Sequence, residues 1–303
     1  MTLLRKNSWL CALILTMAAF FFPFCVPQVA KADDQSDTQA LRDAVNKSWT
    51  ERIRPAFIRS HPELKAVIQN TQFKIIDYTD FNAWAGRDNS ISFPIGYLLT
   101  LDHIADGMVM ALTVGGDCPQ QFAQYFEEIR NSYVANLQAL PTHTPRSMES
   151  RCGISDNRAA RLRADGNYYN ARVAMIVDSL AAVSAHELGH IVLNHKPCMS
   201  IAPSDSRRQE TEADDFGFQL AKDAGFNPLA ALATTYSFFS ELEGLKFDAS
   251  THPRASCRLT RQYERLIKGQ GNEESEEKNL AKAGMSLAQF NELLDQLKQD
   301  CAD

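Results

Sequence analysis

Apolar residues recur at the three- and four-residue spacing of helices along most of the chain. Strand character is confined to one region, where residues 73–78 are β-branched and aromatic and a turn signal at 86–89 is flanked by 82–85 and 91–93. The pattern predicts an α+β fold, mostly helical, with a small antiparallel sheet that contains a hairpin. The predicted helices span residues 36–59, 62–69, 97–112, 119–140, 171–194, 206–224, 228–243, 253–268 and 286–299.

The first thirty-two residues have the pattern of a secretory signal peptide. Arg5 and Lys6 precede an apolar run over 9–26, and small residues occupy the positions before a cleavage site after Ala32. An uncleaved membrane anchor is the alternative, but two prolines break the run short of a spanning helix. We therefore expect secretion across the inner membrane, into the periplasm if the host is Gram-negative. We expect no membrane span after cleavage.

The remainder, residues 33–303, is predicted to form a single domain. Residues 141–167 are rich in Pro, Ser, Arg, Asp and Gly without periodicity, which predicts an irregular segment. An acidic run at 272–277 predicts a solvated linker, so that 270–303 is a linker followed by a C-terminal helix.

Composition and cysteine content narrow the class of protein. The chain of 303 residues is 45% hydrophobic and 22% charged, with a net charge of −6. The chain has no surplus of lysine and arginine that could neutralise phosphates, so nucleic acid is not expected as a partner. Five cysteines follow the predicted cleavage site, and secretion favours disulfides. Spacing cannot establish their pairing; the best guesses are Cys118–Cys152 and Cys198–Cys257, which leave Cys301 over.

A short motif within helix 171–194 carries the clearest chemistry. His186 and His190 are four residues apart and share a helix face, so both imidazoles can bind one zinc ion and leave a position open for water. Glu187 lies beside them and can take a proton from that water. The alternative is a helix that carries two histidines on a polar face. His195 lies off the ligand face and is interpreted as structural.

A third ligand is predicted on the next helix. Glu210 and Asp214 are also four apart, so Glu210 can complete the metal site while Asp214 reaches the free ring nitrogen of His186. Acid-rich first turns are common in helices, and Glu212 and Asp215 are assigned to that explanation.

These residues resemble those of a known family. His186-Glu187-x-x-His190, Glu210-x-x-Ala213-Asp214 and Thr251-His252-Pro253 together are similar to the HtpX and CAAX prenyl protease family of zinc metallopeptidases. Residues 82–85 and 92–99 resemble the edge-strand hairpin and following helix of that family. Residues 113–170 are an insertion relative to its pattern.

The resemblance implies a zincin-like fold in which an edge strand lines the active-site cleft. It implies one Zn²⁺ per chain, with Glu187 as general base and His252 placed to stabilise the oxyanion. The implied zinc ligands are His186, His190 and Glu210, and the implied substrate strand is Asn82, Ala83, Trp84 and Ala85.

The predicted function is therefore a secreted zinc-dependent metalloendopeptidase. Unfolded or extended protein substrates would pair with the edge strand, a mode that makes little demand on sequence. Envelope protein quality control is the expectation by analogy. The alternative is a chaperone-like protein-binding module with a structural zinc site.

Overall fold

A computed structural model describes residues 34–78, 82–137, 145–228, 230, 253, 255–268 and 287–302. The fold is mostly helical with one small sheet, as the pattern predicted. The predicted signal peptide, nearly all of helix 228–243, the acidic run 272–277 and His252 lie outside the described residues.

The elements follow the predicted order. The helices are α1 (Asp34–Ser48), α2 (Arg54–Ser60), α3 (Lys65–Asn70), α4 (Ile95–Val114), α5 (Cys118–Leu137), α6 (Met148–Arg151), α7 (Asp156–Ala164), α8 (Gly166–Val192), α9 (Pro203–Asp223), α10 (Ala255–Lys268) and α11 (Leu287–Ala302). The strands are β1 (Gln72–Ile76), β2 (Trp84–Gly86) and β3 (Ser90–Pro94). A π-helical turn (Trp49–Ile53) joins α1 to α2, and single 3₁₀ turns occupy Pro62–Leu64 and Cys198–Ser200.

The described residues divide into two compact units. The sheet unit comprises residues 34–101 and 176–263, and the disulfide unit comprises residues 102–175 and 264–302. The boundaries between them fall within α4, α8 and α10.

The three strands of the sheet unit have the order β1-β3-β2, so β2 lies at an edge. The predicted hairpin is confirmed, with Ala85 opposite Ile91 in an antiparallel pair. The expectation of a wholly antiparallel sheet was wrong, because β1 pairs with β3 in parallel, Phe73 beside Ile91. A 13-residue connection between these strands returns the chain to the same end of the sheet, which permits parallel pairing.

Aromatic side chains fill the space between the sheet and the N-terminal helices. Trp49 stacks on Phe73 with ring centroids 5.0 Å apart, and Phe73 in turn lies 5.2 Å from Phe93. Phe93 contacts Tyr97 edge-on at 5.4 Å. Burial of such rings supplies much of the hydrophobic stabilisation of a core, so these contacts hold β1 and β3 against the π-helical turn and the first turn of α4.

Helices α8 and α9 approach each other unusually closely. A Cβ added to Gly217 would lie 2.7 Å from the backbone nitrogen of His186, and one added to Gly189 would lie 3.0 Å from the Cα of Ala213. Small residues at both crossing points therefore allow the two backbones to touch. Gly225, with φ +83°, follows α9 in the left-handed conformation that commonly ends a helix.

The disulfide unit contains the predicted Cys118–Cys152 bridge, which links the start of α5 to the residue after α6. An ion network lies beside it: Arg163 forms two bonds with the Asp106 carboxylate and also contacts Glu149. Tyr168 donates a hydrogen bond to the same Asp106 carboxylate at 2.8 Å.

The second predicted disulfide was wrong. Cys198 is exposed and carries a free thiol, whereas Cys257 is disulfide-bonded. Cys301, expected to be left over, is disulfide-bonded as well. Sequence spacing carries no information on pairing beyond the reach of the loops, which explains the error.

Three local expectations also need correction. The irregular segment 141–167 contains α6 and α7, each started by a serine that accepts a hydrogen bond at the N-cap, Ser147 and Ser155. Helix α8 begins at Gly166, five residues before the predicted start. Helix α9 begins at Pro203 with Ala202 as its N-cap, because proline suits the first helical position.

Helix α4 is long and apolar enough to cross a membrane by length and composition alone, and 56% of its most apolar 18-residue stretch is buried inside the protein. The expectation of no membrane span after cleavage stays a prediction. Buried core helices have the same length and composition, so this feature alone does not establish a membrane span.

Candidate metal centre

Three side chains from α8 and α9 converge in the sheet unit. Nε2 of His186 lies 3.1 Å from Nε2 of His190, and Glu210 oxygens lie 3.4 and 3.5 Å from these two nitrogens respectively. One ligand atom from each residue falls within 4.8 Å of the others, and this is the group in the described residues that could hold a metal ion. The structure thus brings together the three residues predicted as ligands.

The spacing of these atoms fits a small cation. Zinc bonds of 2.0–2.1 Å in tetrahedral geometry place neighbouring ligand atoms about 3.3 Å apart. The measured separations of 3.1–3.5 Å bracket that value. Two imidazoles and one carboxylate are also the donor set of catalytic zinc sites that keep a fourth position open. The roles of the three residues as zinc ligands stay predictions.

The short connection between α8 and α9 is clamped from the second helix. Gln209 is buried; its Oε1 accepts from the backbone N–H of Lys196 at 2.8 Å, and its Nε2 donates to the carbonyl of Lys196 at 2.9 Å. This clamp satisfies the loop backbone and fixes the first turns of α9. Glu210 follows Gln209 directly, so these two hydrogen bonds also fix where Glu210 lies along the length of α8.

Asp214 lies where the sequence placed it. Its Oδ1 is 2.9 Å from Nδ1 of His186, which is within hydrogen-bond distance. The angle at Nδ1 departs from that of a hydrogen bond, and no other described residue bonds this nitrogen. Arg258, from α10, grips Asp214 through two bonds of 2.7 and 2.8 Å. Gln262 donates to the Asp214 carbonyl at 3.1 Å. Burial alone would raise the pKa of Asp214, but Arg258 and His186 outweigh it and hold the pKa well below its usual range.

Glu187 is buried between the edge strand and the candidate metal cluster, which consists of His186, His190 and Glu210. Burial raises its pKa to about 7; His186 opposes the rise, Glu210 adds to it, and a hydrogen bond from the Ala85 backbone opposes it. A carboxylate with a pKa near neutrality can both accept and return a proton under physiological conditions. The contact with Ala85 places β2 alongside this group.

The other predicted strand residues flank this contact. Ala83 is buried, Asn82 is exposed, and Trp84 is 37% exposed on the edge strand itself. Among the described strands, β2 has a partner only on its β3 side, so it is an edge strand of the sheet.

Sequence reasoning missed three residues around the cluster. Arg258 lies 44 positions from its partner Asp214, beyond the reach of any local pattern. His195, interpreted as structural, lies 2.9 Å from His190, and Glu212, assigned to the acidic first turn, lies 3.1 Å from His195. Asn194, just after the last turn of α8, was the sequence signal that could have placed His195 near His190. Asparagine favours a helix cap that reverses the chain direction.

The geometry defines a candidate metal centre with a buried carboxylate beside it, an arrangement suited to hydrolysis. A sequence model of the family named Peptidase U49 matches residues 117–280, more than half of the chain. The chain therefore belongs to the Peptidase U49 family and is a peptidase. No curated protein and no solved structure showed a match to the chain.

The family match corrects the resemblance to the HtpX and CAAX prenyl protease family, which was wrong. The quoted motifs are short and recur in separate peptidase families, because similar ligand geometry imposes similar spacing. Residues 117–170, expected to be an insertion relative to the HtpX family, fall inside the range that matches Peptidase U49. They are therefore not an insertion relative to the family to which the chain belongs.

Proposed function

We propose that the chain is a zinc-dependent metalloendopeptidase that acts on extended segments of protein substrates. The observation that carries the proposal is the convergence of His186, His190 and Glu210 next to the buried carboxylate of Glu187. A zinc ion held by the three ligands would polarise the scissile carbonyl and favour ionisation of water nearby.

Glu187 would take the proton from the attacking water and deliver it to the amine that leaves. Its raised pKa suits both halves of this transfer. The main chain of β2 would align the substrate, since the added strand would run past Ala85 and thus past Glu187. Backbone pairing selects for extended conformation more than for sequence.

Secretion to an oxidising compartment belongs to the same proposal. The Cys118–Cys152 bridge supports it, because structural disulfides persist mainly outside the cytosol. Envelope protein quality control would be one role for such an enzyme, and His252 would stabilise the oxyanion.

The test is degradation of an unfolded reporter protein by the purified chain, with and without a chelator and after zinc is restored. We expect Glu187→Gln to bind zinc and remain folded but to lose turnover, because the amide cannot accept the proton. Glu51→Gln, an exposed change on the π-helical turn, is the matched control and keeps full activity. Near-normal proteolysis by Glu187→Gln would refute the role of Glu187.

Replacement of Glu210 by alanine tests the third ligand. Metal analysis should show reduced zinc occupancy with the fold retained, and full occupancy would move the third ligand elsewhere. A chaperone-like module with structural zinc predicts that Glu187→Gln leaves substrate binding intact and that the wild-type chain shows no turnover at all.

A further inference from the structure

The chain turns back on itself directly after α8. Asn194 adopts the left-handed conformation (φ 53°), the N–H of His195 donates to the carbonyl of His190 at 3.0 Å, and that of Asn194 donates to Ile191 at 3.2 Å. These two bonds form a Schellman motif, which ends a helix and folds the next residue over its last turn. The cap thereby carries the side chain of His195 back to His190.

A chain of polar contacts runs outward from the ligand. Nδ1 of His195 lies 2.9 Å from Nδ1 of His190, and its Nε2 lies 3.1 Å from Oε2 of Glu212. The other oxygen of Glu212 accepts from Arg208 at 2.8 Å. The side chain of His195 is only 5% exposed, so its ring nitrogens depend on these two partners.

Only one assignment of protons satisfies every link and leaves a free lone pair for a cation. The Glu212 carboxylate can only accept, so Nε2 of His195 donates to it. The neutral ring of His195 then accepts at Nδ1, and the facing Nδ1 of His190 must be the donor. This leaves Nε2 of His190 without a proton, and that atom faces the ligand atoms of His186 and Glu210.

We propose that His195, anchored by Glu212, is the positioning residue that holds His190 in its metal-binding tautomer. The inference rests on the proposed function, since it assigns a role toward the same cation. The two ligand histidines thus have different partners: His186 faces the carboxylate of Asp214, and His190 faces an imidazole backed by a carboxylate. The direct partner of Nδ1 of His190 in this series of contacts is thus a neutral imidazole and not a carboxylate.

The experiment compares zinc affinity by competition with a chelator. His195→Leu removes the acceptor, and loss of such a partner typically weakens metal binding about 10–100-fold. His195→Asn restores an acceptor, because Oδ1 of asparagine occupies nearly the position of Nδ1 of histidine. We expect this variant to bind zinc within about threefold of wild type, a difference under 1 kcal/mol.

Glu212→Ala tests the outer link at an exposed side chain, where misfolding is not expected. It should weaken zinc binding less than His195→Leu does. The matched control is Asp205→Asn, which removes another carboxylate near Arg208, at 3.6 Å, but one that does not contact His195. This control should bind zinc as wild type does.

Nitrogen NMR of labelled histidines gives a direct reading of the proton on each ring. In the zinc-loaded wild-type chain we expect Nδ1 of His190 to be protonated and bonded to His195. Equal zinc affinity of His195→Leu and wild type overturns the inference while the proposed function stands, and so does equal loss in the Leu and Asn variants. A wild-type chain that binds no zinc overturns both.

Discussion

The close approach of α8 and α9 leads to a sharp prediction for Gly217→Ala. The new methyl carbon would lie 2.7 Å from the nitrogen and 2.8 Å from the Cα of His186, and 3.0 Å from the carbonyl carbon of Ala185. All three atoms belong to the main chain, so no side-chain rotation relieves the contact. Non-bonded carbon atoms are free of steric overlap from about 3.5 Å, so the helices must separate by roughly 0.8 Å.

That separation acts directly on the candidate metal cluster. His186 is displaced from α9, which carries Glu210, while ligand distances tolerate changes of only about 0.2 Å. Overpacking costs about 1–3 kcal/mol, and the higher helix propensity of alanine offsets up to about 1 kcal/mol of it. A cost of about 1.4 kcal/mol expressed at the cluster weakens zinc binding about tenfold.

Urea unfolding and chelator competition measure the two consequences separately. Gly166→Ala is the matched control, because an added Cβ there meets no atom within 4 Å. It should leave zinc affinity unchanged and stability equal or slightly higher. If Gly217→Ala keeps both stability and zinc affinity at wild-type values, the two helices do not meet as closely as argued.

Two further predictions concern buried carboxylates. Burial raises the pKa of Asp178 to about 7, so between pH 4 and 7 the folded chain holds a proton that the unfolded chain has released, and stability falls as pH rises through this range. Asp178→Asn should remove this dependence of stability on pH and raise the free energy of unfolding at pH 8 by at most about 4 kcal/mol. Thermal melts that show the same pH dependence in the variant and the wild type would contradict this prediction. Arg258→Leu leaves Asp214 buried without its cation and should cost about 3–5 kcal/mol in urea unfolding, whereas Arg261→Leu, which removes a half-exposed ion pair, should cost about 1 kcal/mol or less. Equal losses in the two arginine variants would show that burial does not strengthen the dependence on Arg258.

Local patterns in the sequence predicted most helices, the hairpin and the shared helix face of His186 and His190, because each depends on residues a few positions apart. The parallel pairing of β1 with β3 was not predictable in this way, since hydrophobic alternation fits both strand directions. The partnership of Arg258 with Asp214 depends on where α10 docks, which no local pattern encodes.

His195 shows a different limit of sequence reasoning. Its spacing of five from His190 places it off the ligand face of an ideal helix, but α8 ends at Val192 before that geometry applies. The positive φ of Asn194 then reverses the chain and brings the ring back. An asparagine three residues before a proline is a helix-stop signal, so helical spacing does not apply to His195.

The spacing of four between His186 and His190 fixes only one edge of the candidate metal cluster. The position of Glu210 relative to that edge depends on how closely α8 and α9 cross, which Gly189 and Gly217 permit by presenting no side chain to the opposite backbone. A larger residue at either glycine would keep the motif intact but displace Glu210 from the two histidines. The convergence of His186, His190 and Glu210 therefore depends on small residues at the crossing as much as on the three residues themselves, and the motif alone does not specify the site.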